Sequence, residues 1–395
     1  MTQEQKTALA SQLGECLTHN ILPYWLDRMI DPAGGFYGRR DGFDTLDAKA
    51  PKGAILNARL LWTFSAALRH TGNQRYREAA DRAYDYIVRH FIDREFGGVY
   101  WSLNPDGTPA DTKKQFYAIA FTIYGLAEYY RATGREEALE EAIVLFDDIE
   151  RHSYDPEKGG YLEAATREWN PIADMRLSDK DANSCKTMNT HLHILEAYTA
   201  LLRVWPFPTL VEAQKRLLDV FLTRIMDSST GHLGLFFDRD WHMTDKTISY
   251  GHDIEASWLL LEAAEVLGDA EMYERVLEAT RRIADAALQG YCFDGSMVYE
   301  RHASGSYDNE KHWWVQAETL VGLLWLAKYH GRPEALDLAA LTWNYISANL
   351  IDREAGEWYW SRLPDGTVNR RDDKAGFWKC PYHNSRMCLE ALSIL

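Results

Sequence analysis

Histidines, carboxylates and arginines recur in this sequence where helices are expected to begin. In Ser249-Tyr250-Gly251-His252-Asp253-Ile254-Glu255-Ala256-Ser257-Trp258, Gly251 punctuates a loop, and the apolar residues Ile254, Trp258, Leu259, Leu260, Leu261, Ala263 and Ala264 follow. The pattern predicts a helix starting near His252. His252 and Glu255 are three apart and share one face of its first turn. Asp253 points elsewhere and suits a helix start. A histidine beside a carboxylate at a helix N-terminus is a proton-transfer unit. An ordinary capped turn has the same local sequence, so recurrence of the pattern has to decide between the two.

The sequence carries a period that brings such turns together. Gly34-Gly35-Phe36-Tyr37, Gly97-Gly98-Val99-Tyr100 and Gly159-Gly160-Tyr161 recur more loosely as Gly231-His232-Leu233-Gly234, Gly295-Ser296-Met297-Val298-Tyr299 and Gly356-Glu357-Trp358-Tyr359. Their first glycines lie 63, 62, 72, 64 and 61 residues apart. A long fixed period signals a repeat architecture. Each period holds two helices. Those expected at 53–71, 115–132, 187–204, 252–267, 313–330 and 381–395 are apolar almost all round. Those expected at 3–29, 74–92, 135–152, 209–226, 270–288 and 333–350 carry a charged face. The first kind is buried and the second lies outside. Six inner and six outer helices predict an all-α (α/α)6 toroid, one catalytic domain over residues 1–395.

The connections are unequal. Inner-to-outer turns are short and marked by Gly72, Gly134, Gly268 and Gly331. Outer-to-inner connections are long and carry the Gly-aromatic hairpins, so they are the expected functional loops. All lie at one end of the ring, where the inner helices aim their N-termini and favour developing negative charge. The first turns there offer Asn57 and Arg59; Gln115 and Tyr117; Asn189, His191 and His193; His252 and Glu255; Trp313, Trp314, Gln316 and Glu318; and Trp378, His383 and Arg386. An apolar helix tolerates such residues only if they are paired or face a cavity.

Three chemistries compete for His191, His193, His252 and His383. A metal site needs convergent ligands, and the sequence has no HExxH, so no metal is expected. A glycosidase needs two carboxylates across a bond; Asp181, Glu255 and Glu300 are available, but the histidines would have no task. Proton transfer beside a sugar carbonyl suits histidine best, with Arg59 and the helix N-termini stabilising an enediolate oxygen.

Composition agrees. The 395 residues are 46% hydrophobic, and the formal net charge of −16 argues against nucleic acid or an anionic membrane as partner. Residues 1–25 are polar and amphipathic, unlike a signal sequence. No run approaches a membrane span of ~20 apolar residues. Cys16, Cys185, Cys292, Cys380 and Cys388 are scattered, as free thiols in a reducing cytoplasm would be. The aromatic content, 13% with 14 Trp and 22 Tyr, fits either a large helical core or surfaces on which sugar rings stack.

Several segments together resemble the N-acylglucosamine 2-epimerase superfamily, and within it the cellobiose 2-epimerases. They are Asn57-Ala58-Arg59-Leu60, Asn189-Thr190-His191-Leu192-His193-Ile194-Leu195-Glu196-Ala197-Tyr198, Tyr250-Gly251-His252-Asp253-Ile254-Glu255, Lys311-His312-Trp313-Trp314-Val315-Gln316-Ala317-Glu318 and Trp378-Lys379-Cys380-Pro381-Tyr382-His383-Asn384. The resemblance covers the whole chain. It implies cofactor-free, reversible epimerisation at C2 of the reducing-end glucose of a β-1,4-linked disaccharide. Cellobiose would give glucosyl-mannose, and lactose epilactose. It further implies His252 and His383 as the acid/base pair, Glu255 orienting and charging His252, Arg59 on the enediolate, and His193 at the ring oxygen or anomeric hydroxyl. Tyr117, Asp181, Asn189 and Glu300 would bind hydroxyls, and Trp314 and Trp378 would stack on sugar; His191 is expected in the core. A monomer or weak homodimer in the cytoplasm is expected. The alternatives are a monosaccharide epimerase or mannose isomerase, a hydrolase of the same toroid, and a non-catalytic glycan-binding protein.

Overall fold

The computed structural model describes all 395 residues. The apolar helices form a closed inner ring of α3 (Ala54–Thr71), α5 (Phe116–Thr133), α7 (Met188–Leu202), α9 (Tyr250–Leu267), α11 (Trp313–Tyr329) and α13 (Tyr382–Ile394). Each packs on the next, and α13 packs back on α3. Around them stand α4 (Gln74–Tyr86), α6 (Glu136–His152), α8 (Pro208–Val220), α10 (Ala270–Ala287) and α12 (Ala335–Asn349), with α1 (Gln3–Glu15) and α2 (Leu22–Arg28) completing the outer layer. The fold is an (α/α)6 barrel. Its inner helices are buried on nearly every side, as their lack of a polar face requires. No helix is long and apolar enough to cross a membrane.

Two expectations about helix limits change. The helix expected at 3–29 is interrupted by a π-helical turn, Cys16–Ile21. That widened turn puts Asn20 against the last hairpin. Its Nδ2 donates to Asp352 O at 2.8 Å, and Glu357 N donates to Asn20 O at 3.3 Å, tying the first outer layer to the last repeat. The helix expected to begin near His252 begins at Tyr250, so Gly251 lies in its first turn and does not mark a loop.

The loops are built as their repeating sequence predicts. One antiparallel bridge closes each Gly-aromatic hairpin: Ile30 with Phe36, Ile92 with Val99, Tyr154 with Tyr161, Met226 with Leu233, Tyr291 with Met297, and Ile351 with Trp358. The residues leading into an inner helix then pair with the loop of the following repeat. Lys52–Gly53 pairs with Ser102–Leu103, Lys114–Gln115 with Ala164–Ala165, Lys186–Thr187 with Phe236–Phe237, Ile248–Ser249 with Glu300–Arg301, and Lys311–His312 with Ser361–Arg362. Buried lysines add a second stitch, Lys52 to Asp31 at 2.6 Å, Lys114 to Asp93 at 2.8 Å, Lys186 to Asp155 at 3.1 Å and Lys374 to Asp352 at 2.7 Å. Each lysine neutralises the aspartate that shapes a hairpin turn, so the rim is fixed by charge-assisted bonds as well as by strands.

The candidate active site

One cavity of about 1000 Å³ opens among the inner-helix N-termini. Its polar wall follows from helix geometry. The second residues of α5, α7, α11 and α13 are Tyr117, Asn189, Trp314 and His383; the sixth residues of α3, α7 and α9 are Arg59, His193 and Glu255, and the sixth of α11, Glu318, lies buried behind His383. Positions four apart share a face. The cavity is lined by Arg59, Tyr117, Asp181, Asn189, His193, His252, Glu255, Glu300, Trp314, Trp378 and His383, every residue proposed from the sequence as catalytic or sugar-binding.

The three cavity histidines are held by one nitrogen each. His383 Nδ1 donates to Glu318 Oε1 at 2.7 Å, and His193 Nδ1 to Glu196 Oε2 at 2.9 Å. His252 Nδ1 is hydrogen-bonded to Ser249 Oγ at 2.8 Å. None of the three has a protein partner on Nε2. Burial, then His193, pulls His252 down to about 3. His383 is also held well below the ordinary histidine value, by burial and then by Arg59 and Arg386. Neutral imidazoles with a free Nε2 are ready to accept a proton. Both rings pack on the Trp314 indole, His252 at 4.8 Å between centroids and His383 at 5.6 Å.

Glu255 does not meet His252, and the expected pairing of these two is corrected. Side chains on a helix lean toward its N-terminus; His252 leans back onto Ser249, and Glu255 reaches across the ring to accept from Arg386 Nη2 at 2.7 Å. Glu255 instead lies 3.8 Å from His383 Nδ1. Burial, then Glu318, pushes Glu255 up to about 8, the direction that favours a proton in this cluster.

Arg386 is the hub. Its guanidinium also donates to Glu318 at 2.7 Å and bonds Glu196 and Tyr382 Oη. Tyr382 Oη in turn donates to Glu196. The chain His193–Glu196–Arg386–Glu318–His383 therefore couples two cavity histidines through one cation. Glu196 is pulled down to about 2: burial opposes this, but Arg386 and His193 outweigh it. Glu255, Glu318 and His383 are close enough together to ligate a metal ion. The Arg386 guanidinium already binds both carboxylates, so the donor set suits an ion pair better than a divalent cation.

Arg59 is the opposite case, a buried cation with no carboxylate partner. Nη2 donates to Tyr117 Oη at 2.9 Å and Nη1 lies 3.6 Å from Cys380 Sγ. The guanidinium stands 4.1 Å over the Phe121 ring and 4.6 Å over Tyr382. Such a charge costs free energy unless an anion arrives; an aromatic cage lowers that cost without neutralising it.

The sugar-binding candidates differ among themselves. Trp378 packs on Tyr117 at 6.0 Å and Trp101 at 5.9 Å, leaving part of its ring open. Asn189 Oδ1 is buried without a partner. Asp181 accepts from Ser178 N at 2.9 Å, and burial pushes it up. Glu300 is pushed up to about 7 by burial, then Asp308, Asp245 and Asp181. His191 belongs to the fold: Nδ1 donates to Thr187 O at 2.6 Å and Nε2 accepts from Tyr161 N at 2.9 Å, clamping a hairpin onto α7. Gln316 does the same on α11 through Met297 N at 2.7 Å, and Asp253 on α9 through Leu233 N at 2.9 Å. Glu196, Tyr382 and Ser249 were not singled out from the sequence as partners. Glu196 had a signal, since it stands three residues after His193 as Glu255 stands after His252.

The sequence profile of the N-acylglucosamine 2-epimerase (GlcNAc 2-epimerase) family matches residues 35–386. A cellobiose 2-epimerase of Bacteroides fragilis is 56% identical over 97% of this chain and 98% of its own length. One from Ruminococcus albus is 39% identical over 98% of both. The solved structure of a cellobiose 2-epimerase from Bacillus thermoamylovorans superposes with a TM-score of 0.93 at 37% identity, covering 98% of this chain and 100% of that one. Geometry and sequence agree, and the chain belongs to the N-acylglucosamine 2-epimerase family.

Proposed function

We propose that the chain epimerises C2 of the reducing-end glucose of β-1,4-linked disaccharides, converting cellobiose to glucosyl-mannose and lactose to epilactose. The observation that carries the reading is the pair His252 and His383, each with a free Nε2 and both packed on Trp314. The activity named for the relatives supports the substrate class. Ring opening exposes an aldehyde at C1, which acidifies the C2 proton. One imidazole enters neutral and removes that proton, Arg59 takes up the charge on the enediolate oxygen, and the other imidazole, which must enter the step carrying a proton on Nε2, gives it to C2 from the opposite face. His193 acts at the ring oxygen or anomeric hydroxyl. Glu318 fixes the tautomer of His383, and Glu255 acts on His383 and Arg386. Tyr117, Asp181, Asn189 and Glu300 bind hydroxyls; Trp314 and Trp378 supply stacking surface. A hydrolase is disfavoured because Glu255 is 1% exposed and held by Arg386, a poor candidate for reaching a glycosidic bond.

Incubation with cellobiose and analysis of the sugars tests this. Glucosyl-mannose is the expected product; free glucose would mean a hydrolase, and a ketose alone an isomerase. The kcat/KM for cellobiose is expected to exceed that for glucose, because stacking of a second ring contributes about 0.5–1.5 kcal/mol beyond area burial. Equal values would favour a monosaccharide enzyme.

The pH profile has an expected shape. Both histidines are held below the ordinary value of about 6.5, so their neutral forms persist as pH falls. The acid limb of kcat/KM should therefore lie below about pH 6.5. A limb centred at or above that value would contradict the burial of these imidazoles.

A further inference from the structure

Gly251 is used by neither the chemistry nor the backbone. It lies in the first turn of α9 with no left-handed φ, so any residue could adopt its conformation. Its missing side chain makes room for a neighbour. A Cβ there would stand 2.7 Å from Trp314 Cη2, 2.9 Å from Trp314 Cζ3 and 2.7 Å from Val315 Cγ2, closer than real contacts allow. Val315 is fully buried, so the ring is the part that can yield. Trp314 is also the wedge between the imidazoles of α9 and α13, tilted 52° to His252 and 39° to His383. The depth to which the indole seats against α9 thus sets where each imidazole rests.

We propose that Gly251, by letting Trp314 seat against α9, sets the spacing of His252 and His383 and so holds the enzyme to epimerisation and away from aldose–ketose isomerisation. The proposal rests on the epimerase reading above. The two outcomes share one intermediate. Removal of the C2 proton gives the enediolate; a proton returned to C2 with the C1 carbonyl restored gives an aldose, and a proton delivered to C1 with the carbonyl left at C2 gives the ketose. No atom or electron is gained or lost on either route. Epimerisation needs an acid on the face opposite the base. Isomerisation needs only one group, which takes the proton from C2 and passes it to C1 on the same face. A wedge pushed toward α13 displaces His383 more than His252. Epimerisation suffers first, and the ketose share of the product rises. Gly251 acts through Trp314 and is a positioning residue.

The test is Gly251→Ala, with cellobiose and lactose products resolved into epimer and ketose by NMR. Misplacement of the order of 1 Å costs about 10²-fold in rate. Epimer formation is expected to fall by about 10–10²-fold, while C2 deuterium exchange and ketose formation fall less. Trp314→Phe, which trims the wedge from its other side, should shift the product ratio too. The double variant Gly251→Ala/Trp314→Phe should match Trp314→Phe alone, because the clashing ring edge is gone and the alanine then adds nothing. If Gly251→Ala does not fold, the ratio in Trp314→Phe decides. Folded variants whose epimer-to-ketose ratio equals that of the wild type overturn the proposal. A wild type that makes no epimer would overturn the functional reading instead.

Discussion

Replacing His383 or His252 with Asn is expected to lower epimerisation by about 10²–10⁴-fold while the protein stays folded. Asparagine keeps a planar polar group but has no titratable nitrogen. The two sites are not equivalent. His383 leans on Glu318 at 2.7 Å with Glu255 at 3.8 Å, a cluster whose burial favours holding a proton. His252 has a hydroxyl, Ser249 Oγ, on the corresponding nitrogen and no carboxylate. The carboxylates make His383 the imidazole better able to carry and deliver a proton, so His252, which rests neutral, is expected to be the group that removes the C2 proton. In D2O the wild type should place deuterium at C2 of both product and recovered substrate. His383→Asn should still exchange C2 of the substrate slowly without inverting it, whereas His252→Asn should not exchange. Near-normal turnover in both variants would remove the pair from the mechanism. Glu318→Gln should impair the enzyme through His383, and Ser249→Ala should have the smaller effect, because a neutral hydroxyl stabilises less than a carboxylate.

The sequence exposed what repeats. Gly34, Gly97, Gly159, Gly231, Gly295 and Gly356 mark hairpins that the structure closes with one bridge each, and the apolar helices follow the expected limits closely. Positions inside the ring were readable for the same reason: a polar residue in the first turn of an all-apolar helix has few places to go. Pairing among those residues was not readable. The three-residue spacing is identical in His193/Glu196 and His252/Glu255, yet only the first pair forms. A competing partner decides, and Arg386 stands 131 residues from Glu255, brought there only by closure of the ring through the packing of α13 on α11 and α3. The role of Gly251 was likewise hidden, because a helix-start glycine reads as a loop until the neighbouring indole is seen. The strands that stitch one repeat's helix start to the next repeat's loop are two residues long, too short to show alternation.

Loss of Arg386 is expected to be the most damaging change to stability. Its guanidinium is buried beside Glu196, Glu255 and Glu318, which come from three different inner helices. Met fills similar volume without charge. Breaking a buried ion pair by removing one partner costs about 3–5 kcal/mol, since the charge left behind is neither solvated nor matched. Here three carboxylates lose their common cation, and the protein can relieve them only by binding protons. The sign of the pH dependence follows. In Arg386→Met the value of Glu196 rises from about 2, and those of Glu255 and Glu318, already raised by burial in the wild type, rise further above the unfolded glutamate value of about 4.3. Their contribution to stability is then fully present below that value and is lost as pH rises through the folded-state values. The deficit of the variant against the wild type should therefore be already present at pH 5, because wild-type Glu196 ionises from about 2 upward, and should grow further with pH until the variant's own carboxylates ionise. In the wild type Glu196, held down at about 2, acts the other way: its stabilisation is present above the ordinary glutamate value and fades only as pH falls toward 2. Urea unfolding of both proteins across this range would measure the difference. A deficit that stays constant with pH would mean that the three carboxylates are neutralised by some group other than Arg386, and the hub would have to be reassigned.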